Sequence, residues 1–325
     1  MIPAKWWPWL VLASPILAPY LLLENVRFQR NRNRAVELNQ KRIETAEAIA
    51  LPELDHLKIT VLVEWMHEAG FLGAPGVSYL FRTEQGSLLF DIGFGVASPT
   101  LTHNVTQVGL DLGQVNALAI SHLHGDHMGG FRSQRTRRLP SPVALNIPTD
   151  LPCYLPTPAE AEGWRSQVVA QPGLLTAGLG STGPLVRNLF FFGLTEEQAI
   201  LAKLKDRGLA IFTGCGHPTV KTAFEMAHRL CPEPIYAFGG GLHFPITSGR
   251  GLGGSNLQMM VGTGKPPWQR ITDADLTETV QVLNDSGVQK VFLSAHDTCD
   301  YALERLSHEL NAEVSILKAG ATYEV

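Results

Sequence analysis

Residues 121–130 read Ser-His-Leu-His-Gly-Asp-His-Met-Gly-Gly, and no other stretch constrains this chain so tightly. His122, His124, Asp126 and His127 place four metal-binding side chains within six residues. Imidazole nitrogen and carboxylate oxygen suit zinc, with manganese and iron as the other candidates. The preceding run, Val115-Asn116-Ala117-Leu118-Ala119-Ile120, reads as a buried strand, so the ligands sit at a strand's C-terminal end. Gly125 lets the backbone turn sharply, and Gly129 and Gly130 let it approach the site closely. A lone His on an apolar strand is ordinarily a core residue. Three His and an Asp packed this tightly are rarely buried without a role.

Other segments follow in a recognisable order. Ser87-Leu88-Leu89-Phe90-Asp91-Ile92-Gly93 reads as a strand ending in an aspartate, Thr213-Gly214-Cys215-Gly216-His217-Pro218 carries another histidine, and Leu293-Ser294-Ala295-His296 carries the last. With His-x-His-x-Asp-His, these resemble the motifs of the metallo-β-lactamase fold superfamily. Glu197-Gln198-Ala199, the Gly-Cys-Gly-His segment and Gly240-Gly241-Leu242-His243 resemble more narrowly the branch named after dihydropterin ribofuranosyl-aminobenzene phosphate synthase, over residues 58–300. The chain departs from that branch at His296-Asp297-Thr298-Cys299, where His-Cys-Thr-Gly is usual.

The resemblance implies an α/β fold, a four-layer αββα sandwich, and two divalent metal ions. It assigns His122, His124 and His217 to one ion, and Asp126, His127 and His296 to the other. Asp91 and Cys215 are expected to support the ligands from behind. The alternative for Asp91 is a strand-end turn aspartate. Cys215, like Cys299, lies beside expected ligands, where a thiolate would bind zinc, with a small buried residue as the other reading. His243 follows three glycines, where related enzymes often place a bridging aspartate. It is expected either to bind metal or to touch substrate and protonate a leaving group.

At 325 residues the chain can bury one large core. A net charge of −4 gives no nucleic-acid surface, so no nucleic-acid partner is expected. Arg132, Arg135, Arg137 and Arg138 form either a solvated loop or a rim for an anionic small-molecule substrate. Cys153, Cys215, Cys231 and Cys299 are too irregularly spaced for a disulfide framework. Trp6 to Leu23 is almost free of charge and long enough for a short spanning helix. This gives an expected membrane anchor over residues 1–25, a juxtamembrane helix or linker over 26–52, and a catalytic domain over 53–325. Arg27, Arg30, Arg32, Arg34, Lys41 and Arg42 would hold the domain on the cytoplasmic side. A cleaved N-terminus would make the protein secreted or periplasmic instead.

Within the domain, strands are expected at Lys58 to Glu64, Val77 to Arg82, Ser87 to Asp91, Gly208 to Thr213, Pro234 to Gly239 and Gln289 to Ser294. Val220, Ala223, Phe224, Ala227 and Leu230 recur at helical spacing, as do Leu276, Val280 and Leu283, and Leu303, Leu306 and Leu310. Residues 131–190 read as irregular. The glycine-rich stretches 249–254 and 262–264 read as loops.

The expected function is a dinuclear-metal-dependent hydrolase, with a metal-bridging hydroxide attacking a phosphoester, pyrophosphate or carbonyl-type substrate. Asp126 and His243 are its candidate catalytic residues. Two alternatives stay open: a transferase like the named branch, and a non-catalytic membrane-bound binding protein.

Overall fold

The computed structural model describes residues 7–251 and 257–325. Among these, two large sheets stack face to face. The seven-stranded sheet runs Thr322–Glu324, Lys58–Val63, Ser78–Thr83, Gly86–Phe90, Ala117–Ala119, Pro152–Leu155, Arg165–Val168. The eight-stranded sheet runs Glu313–Ile316, Lys290–Leu293, Ile235–Gly240, Gly208–Phe212, Ile200–Leu204, Gly180–Ser181, Gly173–Leu174, with Glu53–Leu54 beside Ile200–Leu204.

Side-chain alternation builds the layers. Strand Ser78–Thr83 sends Tyr79 and Phe81 into the core between the sheets, where Leu88, Phe90, Ala210, Phe212 and Phe292 meet them. Leu80 points the other way, into an outer core with Leu89, Leu118 and Leu101 of helix Thr100–Val108. On the far side, helices Val220–Leu230, Asp273–Asp285 and Asp300–Glu309 cover Leu201, Ile211, Phe238 and Val291 with the stripes read from the sequence. Helix Asp273–Asp285 starts as its sequence requires: the Asp275 carboxylate accepts the Thr272 N–H at 2.7 Å. The layer order is therefore helix, sheet, sheet, helix.

Residues 131–190 contain more strand than expected, including Pro152–Leu155, Arg165–Val168 and Leu185–Leu189. Arg165–Val168 lies at a sheet edge with every residue exposed, so it carries no apolar alternation to read.

The N-terminal expectation needs correction. Among the described residues no helix is long and apolar enough to cross a membrane. Residues 1–6 of the expected anchor lie outside the described residues. Beyond Ser14 the apolar run contains Pro15, Pro19 and Tyr20, then meets Glu24 and Arg27, before reaching the length of a span. Nor does the helix break near residue 25; it runs continuously over Trp7–Thr45. Leu12, Ile16, Leu22 and Leu23 are exposed, whereas Phe28, Ala35 and Ala46 are buried against the domain. Asn39 bonds the Val186 backbone in both directions, at 2.8 and 2.7 Å, and Asn188 Nδ2 donates to Phe28 O at 2.9 Å. Arg42 donates to Pro184 O and Glu196. The stretch expected as a juxtamembrane helix or linker is helical through Thr45 and docks on the hairpin Leu185–Leu189/Gly193–Glu197.

Strands Gly86–Phe90, Ala117–Ala119 and Pro152–Leu155 are mutually parallel, as are Gly208–Phe212, Ile235–Gly240 and Lys290–Leu293. Their C-terminal ends deliver the motif residues to one edge of the sandwich, the usual place for a site in a parallel sheet.

Candidate metal centre

Gly125 opens a four-residue helix, Gly125–Met128, directly after His124. A Cβ there would lie 2.8 Å from the backbone of Gly130 and Phe131, so only glycine lets this turn close. The neighbouring Asp91 adopts φ +60°, a conformation that Asp tolerates better than most residues. Its buried carboxylate accepts the Ser121 N–H, the Ser121 Oγ–H and the His127 Nδ1–H, each at 2.7 Å. Ser121 Oγ has then spent its proton, so it accepts from His122 Nδ1 at 2.9 Å. Asp91 thus fixes two imidazoles through their outer nitrogens and leaves both Nε2 atoms facing inward.

The opposite sheet repeats the device. Ser294 Oγ donates to Glu64 and lies 2.6 Å from His296 Nδ1, which leaves His296 Nε2 inward. Glu64 is fully buried and also accepts from Tyr79 Oη at 2.8 Å and Trp65 N at 2.8 Å. Burial pushes its carboxyl up to about 7, against these donors. His217 Nδ1 bonds Gly262 O at 3.1 Å, so residues 262–264 are a support as well as a loop.

Glu197 accepts from the N–H groups of Gly214, Gly216 and His217, each at 2.9 Å. Burial pushes it too up to about 7. Gln198 bonds Ile120 O at 2.8 Å and Tyr154 O at 3.2 Å. Glu197 and Gln198 therefore hold the loops that carry the histidines.

Inside this scaffold the free ring nitrogens converge. His122 Nε2 lies 3.0 Å from His124 Nδ1, which lies 3.3 Å from His217 Nε2. Burial, aided by the surrounding imidazoles, holds His122 and His217 well below the usual histidine value. Burial takes His124 and His296 down to about 4. His127 moves the other way: burial disfavours its charge, but Asp126 and Asp91 push it up to about 9. Neutral lone pairs facing one another repel unless a cation lies between them. Nitrogens sharing one tetrahedral zinc at about 2.0–2.1 Å sit about 3.3 Å apart, so these residues fit a metal ion.

A second group comprises Asp126, His127, Cys215 and His296, with donor atoms all within 4.8 Å of one another. His122 and His217 share another such group with Cys215, and His124 approaches both through its Nδ1. Cys215, expected behind the ligands, lies among them: its Sγ is 3.1 Å from His127 Nε2 and 3.3 Å from His296 Nε2. His243 adopts φ +55°; its Nε2 lies 3.3 Å from Val261 O, and its Nδ1 lies 3.7 Å from Asp297 Oδ2.

Sequence reading missed Glu64, Ser121, Ser294 and Asp297. Asp297 carried one signal, since it stands where the resembled branch has Cys. Of the remaining histidines, His56, His67, His103, His228 and His308 join none of the donor groups found among the described residues. The arginine cluster turns outward: Arg137 bonds Thr157 and Pro158, and Arg138 pairs with Glu160 at 2.8 Å.

With the geometry in place, likeness to known proteins is informative. A family model described as the Metallo-beta-lactamase superfamily matches residues 73–134, which include Asp91 and the His-rich loop. Among solved structures, Tm1679, described as a metal-dependent hydrolase of the beta-lactamase superfamily, aligns with a TM-score of 0.59 at 19% identity. That alignment covers 83% of this chain and 99% of the other. The chain has the metallo-β-lactamase fold. A second metallo-β-lactamase fold protein, YhfI from Bacillus subtilis, aligns with a TM-score of 0.51 at 17% identity, over 83% of this chain and 100% of its own. No curated protein matches the chain in sequence. Within the metallo-β-lactamase fold, each donor group draws on both sheets, and the groups meet at the edge the sheets share.

Proposed function

We propose that this protein is a hydrolase dependent on two divalent metal ions, zinc by donor chemistry, acting on a small-molecule phosphoester, pyrophosphate or carbonyl-type substrate. The supporting observation is the convergence of His122 Nε2, His124 Nδ1 and His217 Nε2, with the outer nitrogens of His122 and His217 tied to Ser121 and Gly262. Bound metal ions supply Lewis acidity and lower the pKa of water toward neutrality. The chain's own residues do the rest. His122, His124 and His217 hold one ion, while Asp126, His127 and His296 hold the other. The Asp126 carboxylate, partly exposed at the cavity wall, orients the attacking water and takes up its proton.

A cavity of about 400 Å³ opens on His124, Asp126, Cys215 and His217. Its walls include Phe94, Phe131, Phe192, Leu257 and Val261. A substrate therefore carries an apolar portion beside its reacting polar group, which is anionic or carbonyl in character. The apolar walls exclude water and strengthen electrostatics at the reacting centre. None of Arg132, Arg135, Arg137 and Arg138 lines this cavity, so an arginine rim has no part in this reading. His243 lines it, positioned to protonate a leaving group.

Glu197 and Gln198, part of the resemblance behind the transferase alternative, are engaged with loop backbone and so do not favour a transferase over a hydrolase. The test is elemental analysis of purified protein, followed by turnover on phosphodiesters, pyrophosphates, lactones and thioesters. Two metals per chain and hydrolysis of one class are expected. Folded protein that takes up no metal under any loading condition refutes the proposal. His243→Ala should cut the rate by about 10²–10⁴-fold with poor leaving groups and much less with a nitrophenolate.

A further inference from the structure

We propose that Cys215 supplies a thiolate ligand shared by both metal ions, an inference that deepens the dinuclear reading above and rests on it. Among the described residues three groups of donors could hold a cation: Asp126/His127/Cys215/His296, His122/Cys215/His217 and Cys215/His243/Asp297. Cys215 Sγ is the donor common to all three, and within each group the donor atoms lie within 4.8 Å of one another. The first group takes in the ligands of one ion, and the second takes in two of the three ligands of the other. A sulfur in both sets lies where a single ligand can touch both ions.

Local chemistry agrees. Sγ lies 3.1 Å from His127 Nε2 and 3.3 Å from His296 Nε2. Sulfur and nitrogen on one tetrahedral zinc, at about 2.3 and 2.0–2.1 Å, are separated by about 3.5 Å. Once the His127 Nε2 proton is displaced, both histidines keep one ring proton, on Nδ1, held by Asp91 and by Ser294, so each presents a lone pair to the sulfur. One S–H can serve only one of them, whereas a cation beside a thiolate satisfies both.

A second observation is independent of that sulfur–imidazole geometry. Among the described residues, the buried Asp297 Oδ2 and His243 Nδ1 have no hydrogen-bond partner; they face each other across 3.7 Å, with His296 Nε2 3.6 Å from the same oxygen. A buried carboxylate oxygen without a donor is costly. Both residues belong to the third group with Sγ, and positive charge beside the sulfur removes the cost. The backbone is built to hold the thiol still, since Glu197 Oε1 accepts the N–H groups on both sides of it, Gly214 and Gly216. On binding, the thiol releases its proton to solvent and its sulfur lone pairs bond the metals. A soft thiolate favours zinc or cobalt over manganese, so the residue also selects the metal.

Zinc-loaded full-length protein, examined by X-ray absorption at the zinc edge, tests this without mutation. A shared thiolate gives about one sulfur neighbour per zinc near 2.3 Å. A terminal thiolate gives half that, and nitrogen and oxygen neighbours alone mean no thiolate at all; either result overturns the proposal while the two-metal reading stands. Failure to load any metal sinks that reading itself. Cobalt-loaded protein should show a near-ultraviolet sulfur-to-cobalt charge-transfer band. Cys215→Ser should abolish the band, and Cys299→Ser should keep it. A band that survives Cys215→Ser, or is lost in Cys299→Ser, places the sulfur elsewhere and overturns the assignment.

Discussion

Asp91→Asn is the most informative single perturbation of the centre. Asn tolerates φ +60° as well as Asp does, so the backbone should hold. The carboxylate accepts three hydrogen bonds at 2.7 Å, from Ser121 N, Ser121 Oγ and His127 Nδ1. An amide has one oxygen, so whichever way it is turned its NH₂ meets a donor. If the oxygen stays on the Ser121 N–H, the amide donates to His127 Nδ1 and drives the ring proton onto Nε2. That is the atom facing Cys215 and the second metal group. Losing the carboxylate that holds the outer nitrogen of a metal-binding histidine typically costs about 10–100-fold in metal affinity. A chelator competition on zinc-loaded protein reads this directly.

The metal-free protein gives a second number. Asp126 and Asp91 together outweigh burial and raise His127 from 6.5 to about 9. At about 1.4 kcal/mol per pH unit that is about 3 kcal/mol, supplied jointly by Asp126 and Asp91. The folded value is raised, so this stabilisation is complete below about pH 6.5 and is lost as pH rises through about 9. Denaturant unfolding of metal-free protein should therefore show Asp91→Asn destabilised by about 1–2 kcal/mol at pH 6, with the gap closing toward pH 9. A folded variant with unchanged zinc affinity and a gap independent of pH would refute the reasoning.

Three further outcomes follow from the geometry. Glu197→Gln leaves one acceptor for three backbone N–H groups, so it should cost about 2–3 kcal/mol of stability in denaturant titrations and weaken metal binding. Phe192→Ala removes an apolar wall of the substrate cavity whose ring packs 4.9 Å from that of His124; KM should rise several-fold for substrates with an apolar portion, and any accompanying fall in kcat would report the lost His124 contact. Asn39→Ala strands both the N–H and the C=O of Val186, and should destabilise helix docking by about 1–3 kcal/mol. Limited proteolysis within residues 26–50 would then quicken while the rest of the chain stays resistant.

The histidine-rich loop, the strand-end aspartate and the layered fold were legible because each is written locally. A ligand cluster lies within six residues, and alternating or helical periodicity marks each core face. What escaped reading was long-range. Glu64 ends an apolar strand as an ordinary charged residue would, and only the fold brings Ser294 and His296 to it. Cys215 sits beside a ligand in sequence, yet its place among both donor groups depends on strands from two sheets. The docking of Phe28, Ala35 and Ala46 was not legible either, because composition does not show where a helix packs. Asn39 and Arg42, polar residues in the helix's later turns, make the contacts that bind it to the domain.

The paired serine relays have a mechanical consequence. Asp91 and Ser121 belong to one sheet, while Ser294 belongs to the other and reaches back to Glu64 in the first. His122, His124, Asp126 and His127 likewise hang from one slab of the sandwich, and Cys215, His217 and His296 from its mate. Any ion gripped by both is a rivet through the seam at a single edge. Withdrawing the rivets should leave the middle of the sandwich, packed with Phe81, Phe90 and Phe212, clamped as before, while that edge alone gapes. Amide exchange after chelation would then quicken at the strand ends around Ser121, Thr213 and Ser294, and fade to nothing a few residues into each strand.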